Sequence, residues 1–311
     1  MAEGFLDFTP GQVLTAAQVD DYLMRQAVMR FDDASARTTA LSGVLVEGMM
    51  SYLKDTNAVE VYDGSAWVGV GGVGTTNFTD TATGTYTAGG VSYKYLTFTA
   101  SGTITFDTDG LATLLVVGAG AGGGASLNTQ AAGGGGAGQV LEDDFYFTAG
   151  TYTVTVGAGG AGGVSSIGSP GRGRQGNSSL VGNYQASGGG GGGPRLFNAS
   201  FDFGGDGASG GGGGLGGNGG SAYSTLTGND GANSGGGGGG AGGAPSGATG
   251  GVGQSSSITN TPITYGAGGN GGANPTVAGG ANTGDGGDGV ANDSLSAAAG
   301  GSGIVVVRVE V

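Results

Sequence analysis

The chain has no cysteine and no histidine. That excludes disulfides, thiolate nucleophiles, imidazole bases and the usual zinc ligands together. Positive charge is nearly as scarce: 9 Lys and Arg stand against 23 Asp and Glu in 311 residues, a formal charge of −14. Such a surface repels phosphate backbones and anionic headgroups, so nucleic acid is not an expected partner. Long apolar runs are also missing. The two longest, Leu114 to Val117 and Ile304 to Val307, fall far short of the ~20 residues that a bilayer span needs, and the first residues have neither a basic nor an apolar signal region. The chain reads as soluble, without membrane insertion or a cleaved leader.

What is abundant is glycine, 81 residues. Its distribution divides the chain, with 14 glycines in residues 1–117 and 67 in residues 118–303. With only 6 prolines and no strict every-third-residue phase, collagen is excluded.

In the first segment, Leu14-Thr15-Ala16-Ala17-Gln18-Val19 has an N-cap, a glutamine at the third helical position and a hydrophobic staple. It predicts a helix. Val19, Tyr22, Leu23 and Ala27 form one apolar stripe, and Met24, Val28 and Phe31 an adjacent one, together wider than a surface helix normally buries. Two packing partners, copies of the helix or a crevice of its own domain, account for that width. From Met49 the period becomes two. Met49 to Lys54, Ala58 to Tyr62 and Ala66 to Val70 are short strands separated by turn-rich Asp55-Thr56-Asn57 and Asp63-Gly64-Ser65.

The run from Phe8-Thr9-Pro10-Gly11 through Asp20-Asp21-Tyr22-Leu23-Met24-Arg25 to Phe31, followed by Glu47-Gly48-Met49 and Tyr62-Asp63-Gly64-Ser65-Ala66-Trp67, resembles the N-terminal module of phage minor tail proteins. The resemblance covers about residues 5 to 70. It implies attachment to the tail tip or a neighbouring virion subunit, with Val19, Tyr22, Leu23, Met24, Val28 and Phe31 as candidate attachment residues.

Beyond a Gly/Thr linker, Val91 to Thr99, Gly102 to Phe106, Leu111 to Val117, Gln139 to Phe147 and Thr151 to Val156 are bounded by glycine in the manner of a sandwich or barrel. Ile304 to Val311 is apolar on both faces for most of its length and predicts a central, doubly covered strand. If it pairs in the same sheet, residues 157–302 form an insertion. The runs Gly188 to Gly193, Gly210 to Gly214 and Gly235 to Gly240 suit extended helices of three residues per turn, packed closely enough for bonds between neighbouring backbones. A flexible linker is the alternative, but aromatic and apolar residues punctuate the tracts.

Leu115-Val116-Val117-Gly118-Ala119-Gly120, Gly133 to Val140, Gly150 to Gly163 and Gly300 to Val307 resemble a widespread glycine-rich module, and the layout resembles polyglycine-sandwich adhesins of phage fibre tips. The similarity covers about residues 95 to 311. In those adhesins the loops between glycine runs touch the host receptor, which makes Tyr184, Phe197, Phe201, Phe203, Tyr223 and Tyr265 candidate receptor-binding residues. The tyrosine hydroxyls favour a wet location for Tyr184, Tyr223 and Tyr265, and small cores are the competing use of the phenylalanines. Arg172, Arg174 and Arg195 bind an anionic receptor group or offset local charge.

Other motifs carry less. Gly118 to Gly123 fits G-x-G-x-x-G after a strand, but no helix follows to hold a pyrophosphate. Glu142-Asp143-Asp144 alternate across a strand, so they cannot face each other across a glycosidase cleft and instead guard an edge. Asp206, Asp285, Asp288 and Asp293 lack the tandem pattern of calcium repeats.

The expected fold is therefore mainly β with one N-terminal helix: a tail-attachment module over 1–72, a linker at 73–76, a β-sandwich-like base over 77–156 plus 303–311, and a polyglycine-II insertion over 157–302. The expected function is that of a non-enzymatic virion protein of the tail tip or fibre. It needs no cofactor or metal, partners other phage tail proteins and a host cell-surface glycan or outer surface protein, and associates as a trimer. A purely structural minor tail or decoration protein is the alternative.

Overall fold

The computed structural model describes residues 13, 15, 28–70, 74–126, 130–165, 171–195, 202–223, 228–274, 276–291 and 296–311. The chain is mainly β and divides into two units, Met1–Val73 and Gly74–Val311.

In the first unit, β1 (Val28–Phe31) runs parallel to β2 (Met50–Leu53), and β2, β3 (Ala58–Tyr62) and β4 (Trp67–Gly69) form an antiparallel meander. The meander lies where the sequence pattern put it. The helix expected to reach Phe31 does not extend that far, because Val28 and Phe31 belong to β1. Its exposure alternates residue by residue and its backbone is paired in register with Met50 to Leu53. Val19, Tyr22, Leu23 and Met24 lie outside the described residues.

The helix that is described, α1 (Ala34–Ala40), starts at Asp33, whose Oδ1 accepts the Ala36 N–H at 2.7 Å. It buries Arg37, which donates to Ser51 Oγ at 2.9 Å, pairs with Glu60 and lays its guanidinium 4.2 Å from the centre of the Trp67 ring. A charged residue thus ties α1 to three strands of the sheet.

The second unit contains two larger sheets. One has the order β5 (Gly84–Ala88), β6 (Val91–Phe98), β15 (Ile304–Glu310), β8 (Gly110–Val117), β9 (Val140–Phe147), every neighbour antiparallel. The other runs β12 (Tyr184–Ala186), β11 (Ser179–Val181), β10 (Gly150–Thr155), β7 (Gly102–Phe106). They share a core in which Ile104, Phe106, Leu114, Val116, Phe147, Val154, Val305 and Val307 are at most 1% exposed. On the opposite face of the five-stranded sheet, Leu115, Val117, Ile304 and Val306 pack against Ala241, Ile258 and Tyr265 of the glycine-rich region. β15 is therefore central and covered on both faces, as its continuous apolar run predicts. A short hairpin, β13 (Gln254–Ser256) with β14 (Ile263–Tyr265), carries Tyr265 into that second cluster.

The boundaries between base and glycine region differ from those expected. The β11–β12 hairpin falls within 157–302 yet completes the second sheet, and residues 118–139, between β8 and β9, run among the glycine segments.

These segments have little sheet or helix structure, but their backbones are paired in a regular way. Gly118, Ala121 and Gly124 donate to the carbonyls of Gln139, Gly136 and Gly133. Ala119, Gly122 and Ala125 donate to Asn177, Arg174 and Gly171, while Gly120 and Gly123 donate to Gly301 and Ala298. Every third N–H thus points to the same neighbour, and one segment binds three others. Residues 133–139 repeat the pattern towards Gly193, Gly190 and Ser187, towards Gly236 and Gly239, and towards Gly287 and Gly284. Alanine methyls fit at some positions of this packing, but not at its glycines: a Cβ built on Gly122, Gly123 or Gly124 would lie against the carbonyl oxygen of Ala161, Asp288 or Gly193 at less than 3.0 Å. Buried backbone polar groups must be paired, and here the pairing links segments instead of closing a helix or ladder.

Aspartates fill gaps in the pattern. Asp285 Oδ1 accepts from Ala267 N at 2.8 Å and Asp288 Oδ1 from Asn270 N at 2.7 Å, so two carboxylates three residues apart serve two N–H groups three residues apart. Asp206 likewise accepts from Ser221 N. Asp206, Asp285 and Asp288, weighed above for calcium, thus act as backbone acceptors, and Asp293 lies outside the described residues. Among the described residues no group of three acidic side chains could hold a metal ion, and no helix is long and apolar enough to cross a membrane.

Candidate functional site

Among the described residues, the aromatics singled out from the sequence do not form one cluster. Tyr223 is 64% exposed and Phe203 42%. Phe203 lies beside Gly193, whereas Tyr223 N bonds to Gly207 O, and Gly207 packs against Gly189 and Gly190.

Tyr184 is half-buried. Its ring lies 4.3 Å from that of Phe145 and 5.4 Å from that of Phe147, and its hydroxyl donates to Tyr146 O at 3.0 Å. Tyr265 is 3% exposed, contrary to the wet location expected of its hydroxyl. The reason is β14, which folds back onto the five-stranded sheet and places the ring among Leu115, Val140 and Ile304. Burial, and then the charge of Glu142, push its pKa above the usual 10.0. Phe197 and Phe201 lie outside the described residues. Of the candidate cations, Arg195 pairs with the fully buried Asp202 at 2.6 Å, which gives it a structural use. Val28 is 51% exposed on β1, at one edge of the first unit's sheet, and Phe31 is half-buried.

A polar cleft on the five-stranded sheet was not anticipated. Along β15, Ile304, Val306, Arg308 and Glu310 share one face because side chains alternate, and the apolar cover from the glycine region ends at Val306. Arg308 therefore emerges beyond it. In register across the strands it stands in the row Gly84, Tyr95, Arg308, Thr113, Asp144. A cleft of about 130 Å³ opens here, lined in part by Thr75, Tyr93, Thr113, Asp144, Arg308 and Glu310.

The guanidinium is fixed on several sides. Its Nη1 donates to Tyr86 Oη at 3.0 Å and its Nη2 to Thr113 Oγ1 at 3.1 Å, while Thr113 passes its own proton to Asp144 Oδ1 at 2.6 Å. The Tyr93 ring lies 4.9 Å from the guanidinium carbon and stacks with Tyr86 at 5.2 Å. Tyr86 in turn donates to Ile258 O at 3.0 Å, tying the cleft to the glycine region. Among the described residues no carboxylate pairs directly with Arg308, and its buried Nε has no partner. The sequence carries one signal for this site: polar residues interrupt an otherwise apolar strand at 308 and 310, two apart and so on one face.

Asp144 lies with Glu142 and Asp143 on β9, an edge strand, all three exposed as the charge run suggested. Among its described residues the segment that includes Gly118 to Gly123 contains no helix. Its N–H groups are taken by neighbouring backbone, which leaves no phosphate cradle there.

No curated protein sequence matches the chain. A family model described as a glycine-rich domain matches residues 96–310, from β6 across every glycine segment to the last strand. Spanning more than two thirds of the sequence, the match shows that the chain belongs to this glycine-rich domain family.

Proposed function

We propose that the chain is a bacteriophage virion protein of the tail tip or fibre, attached through residues 1–72 and recognising the host cell surface through loops of its glycine-rich region. The period-three bonding between glycine segments carries the reading. We take the segments to be a bundle of extended polyglycine-II helices, in which three residues per turn send successive N–H groups to three neighbours. Such a bundle holds its shape without large side chains, so its connecting loops are free to differ and to bind. This is the layout of the fibre-tip adhesins that the sequence resembles. Phe203 and Tyr223, the exposed members of the aromatic set among the described residues, are the contacts to test first.

In this reading the protein is not an enzyme. It acts in several copies, as a trimer alongside other tail proteins, so that weak contacts to a surface glycan or outer surface protein add up. Labelled full-length protein applied to a panel of bacterial strains tests it. Saturable binding to a subset of strains, weakened by Phe203→Ala with Tyr223→Ala, supports the adhesin. Binding to none, even after multimerisation, favours the second reading, a structural minor tail or decoration protein, for which the burial of Tyr265 and the packing of Tyr184 speak.

A further inference from the structure

We propose that the cleft beside Arg308 binds a neutral saccharide ring, at a site separate from the glycine-region loops and independent of whether those loops bind anything. The lining has the chemistry that a sugar diol needs. Arg308 and the hydroxyls of Thr75 and Tyr93 can donate, and the carboxylates of Asp144 and Glu310 accept. Asp144 has one oxygen engaged by Thr113, which leaves the other for a ligand hydroxyl.

The guanidinium is held in place before any ligand arrives. Tyr86 and Thr113 each take one of its N–H groups and Tyr93 flanks its plane, so no loop or long side chain has to be ordered on binding. Arg308 Nε is buried without a partner, an arrangement that folding alone does not favour. Leu111 and Val309 supply apolar surface beside these polar groups, the combination that suits the two-sided surface of a pyranose.

Charge and size narrow the ligand further. Asp144, Glu310 and the neighbouring Glu142 on the same face of β9, in a chain of net charge −14, oppose a carboxylate or phosphate despite the arginine. At about 130 Å³ the cleft is well below the ~300–1,000 Å³ of sites for drug-sized ligands. It accepts one terminal or pendant ring of a longer glycan, with the remainder outside.

The test is calorimetric and NMR titration of the full-length chain with the methyl glycosides of glucose, galactose, mannose and N-acetylglucosamine, alongside glucuronate and inorganic phosphate. At least one neutral glycoside is expected to saturate in the roughly millimolar range of a single shallow site. Binding should shift the Arg308 Nε–H resonance. Asp144 is exposed, so Asp144→Asn is expected to keep the melting temperature while weakening binding about tenfold or more. Phe203→Ala and Tyr223→Ala should leave it unchanged. The proposal is overturned if no neutral glycoside binds, if glucuronate or phosphate binds more tightly, or if Asp144→Asn has no effect. Protein that binds bacterial cells but no glycoside discards this site and leaves the loop reading standing; glycoside binding without cell binding does the reverse.

Discussion

The β base and the glycine region of the second unit fill their interiors in opposite ways. Between the two sheets of the base, Phe106, Phe147, Leu114 and Val305 occupy a layer that exists because strands hold side chains apart from neighbouring backbone. Among the glycine segments there is no such layer: backbone lies directly on backbone, and the space a Cβ would take belongs to another segment's carbonyl. Both solutions satisfy the buried N–H groups. They differ in what they tolerate, since a side-chain core fails when volume is removed and a backbone lattice fails when volume is added.

The strongest way to break this comparison is to add one carbon to the lattice. Gly135 donates to Gly287 O at 2.8 Å and accepts from Gly269 N at 2.9 Å, and its Cβ would fall on the carbonyl oxygen of Ala121. No flexible side chain can yield there. Gly135→Ala is expected to cost at least ~3 kcal/mol, the upper range for overpacking. Guanidinium unfolding would measure it, and a loss below about 1 kcal/mol would show that the segments are not closely packed. The matching cut in the base is Leu114→Ala, which leaves a cavity beneath a fully buried site and is expected to cost roughly 2–5 kcal/mol by the same measurement. The two expected losses are of similar size, although the residue change runs the other way.

The two regions also differ in how far they were legible beforehand. Strands of the base announce themselves through alternation and glycine boundaries, and β15 through Val305, Val306 and Val307, apolar on successive faces. The glycine segments name no partner, because the neighbour of Gly120 is Gly301 and that of Gly122 is Arg174, and a residue without a side chain encodes no register. For the same reason the pattern did not show that residues 118–139 join these segments while β11 and β12 leave them for the base. At Val28 to Phe31, apolar spacing that fitted a helix was overridden by pairing with β2, a tertiary contact that local periodicity does not contain. Of the candidate site residues, exposure was legible only in part: Tyr223 is open, but Tyr265 is buried by the return of β14. Arg308 was readable only as a break in an apolar strand, since its partners Tyr86, Tyr93 and Thr113 come from three other strands.

Where the lattice borrows side chains, the comparison sharpens at intermediate cost. Asp288 is 4% exposed and accepts from Asn270 N and Val277 N. Asp288→Ala strands two donors and is expected to cost about 2 kcal/mol, with faster hydrogen exchange confined to residues around 270 and 277. At Tyr265 the lattice meets the sheet, and the expected signature is alkaline. Burial favours the neutral phenol and raises its folded pKa above 10.0. That contribution is therefore present in full below pH 10 and is lost as pH rises through the folded value. Melting curves should show a smaller decline above pH 10 in Tyr265→Phe than in the unsubstituted chain; parallel declines would mean that the ring does not titrate in its buried position.

The smallest effect is expected from repeating the Gly135 substitution in the base. Gly102 opens β7 and pairs with Val154, its φ lies outside the left-handed region, and a Cβ there would meet only Phe98 ring carbons at 3.5 and 3.6 Å, ordinary contact distances. Alanine should fit without displacement. It also reduces the freedom of the unfolded chain, so Gly102→Ala is expected to be neutral or to stabilise by up to ~1 kcal/mol. The same chemical change would then have opposite signs in two regions of one unit, because a strand projects its Cβ out of the sheet whereas a glycine segment would project it into another backbone. A loss at Gly102 as large as that at Gly135 would remove the distinction and trace the sensitivity to glycine replacement in general, not to the closeness of the lattice.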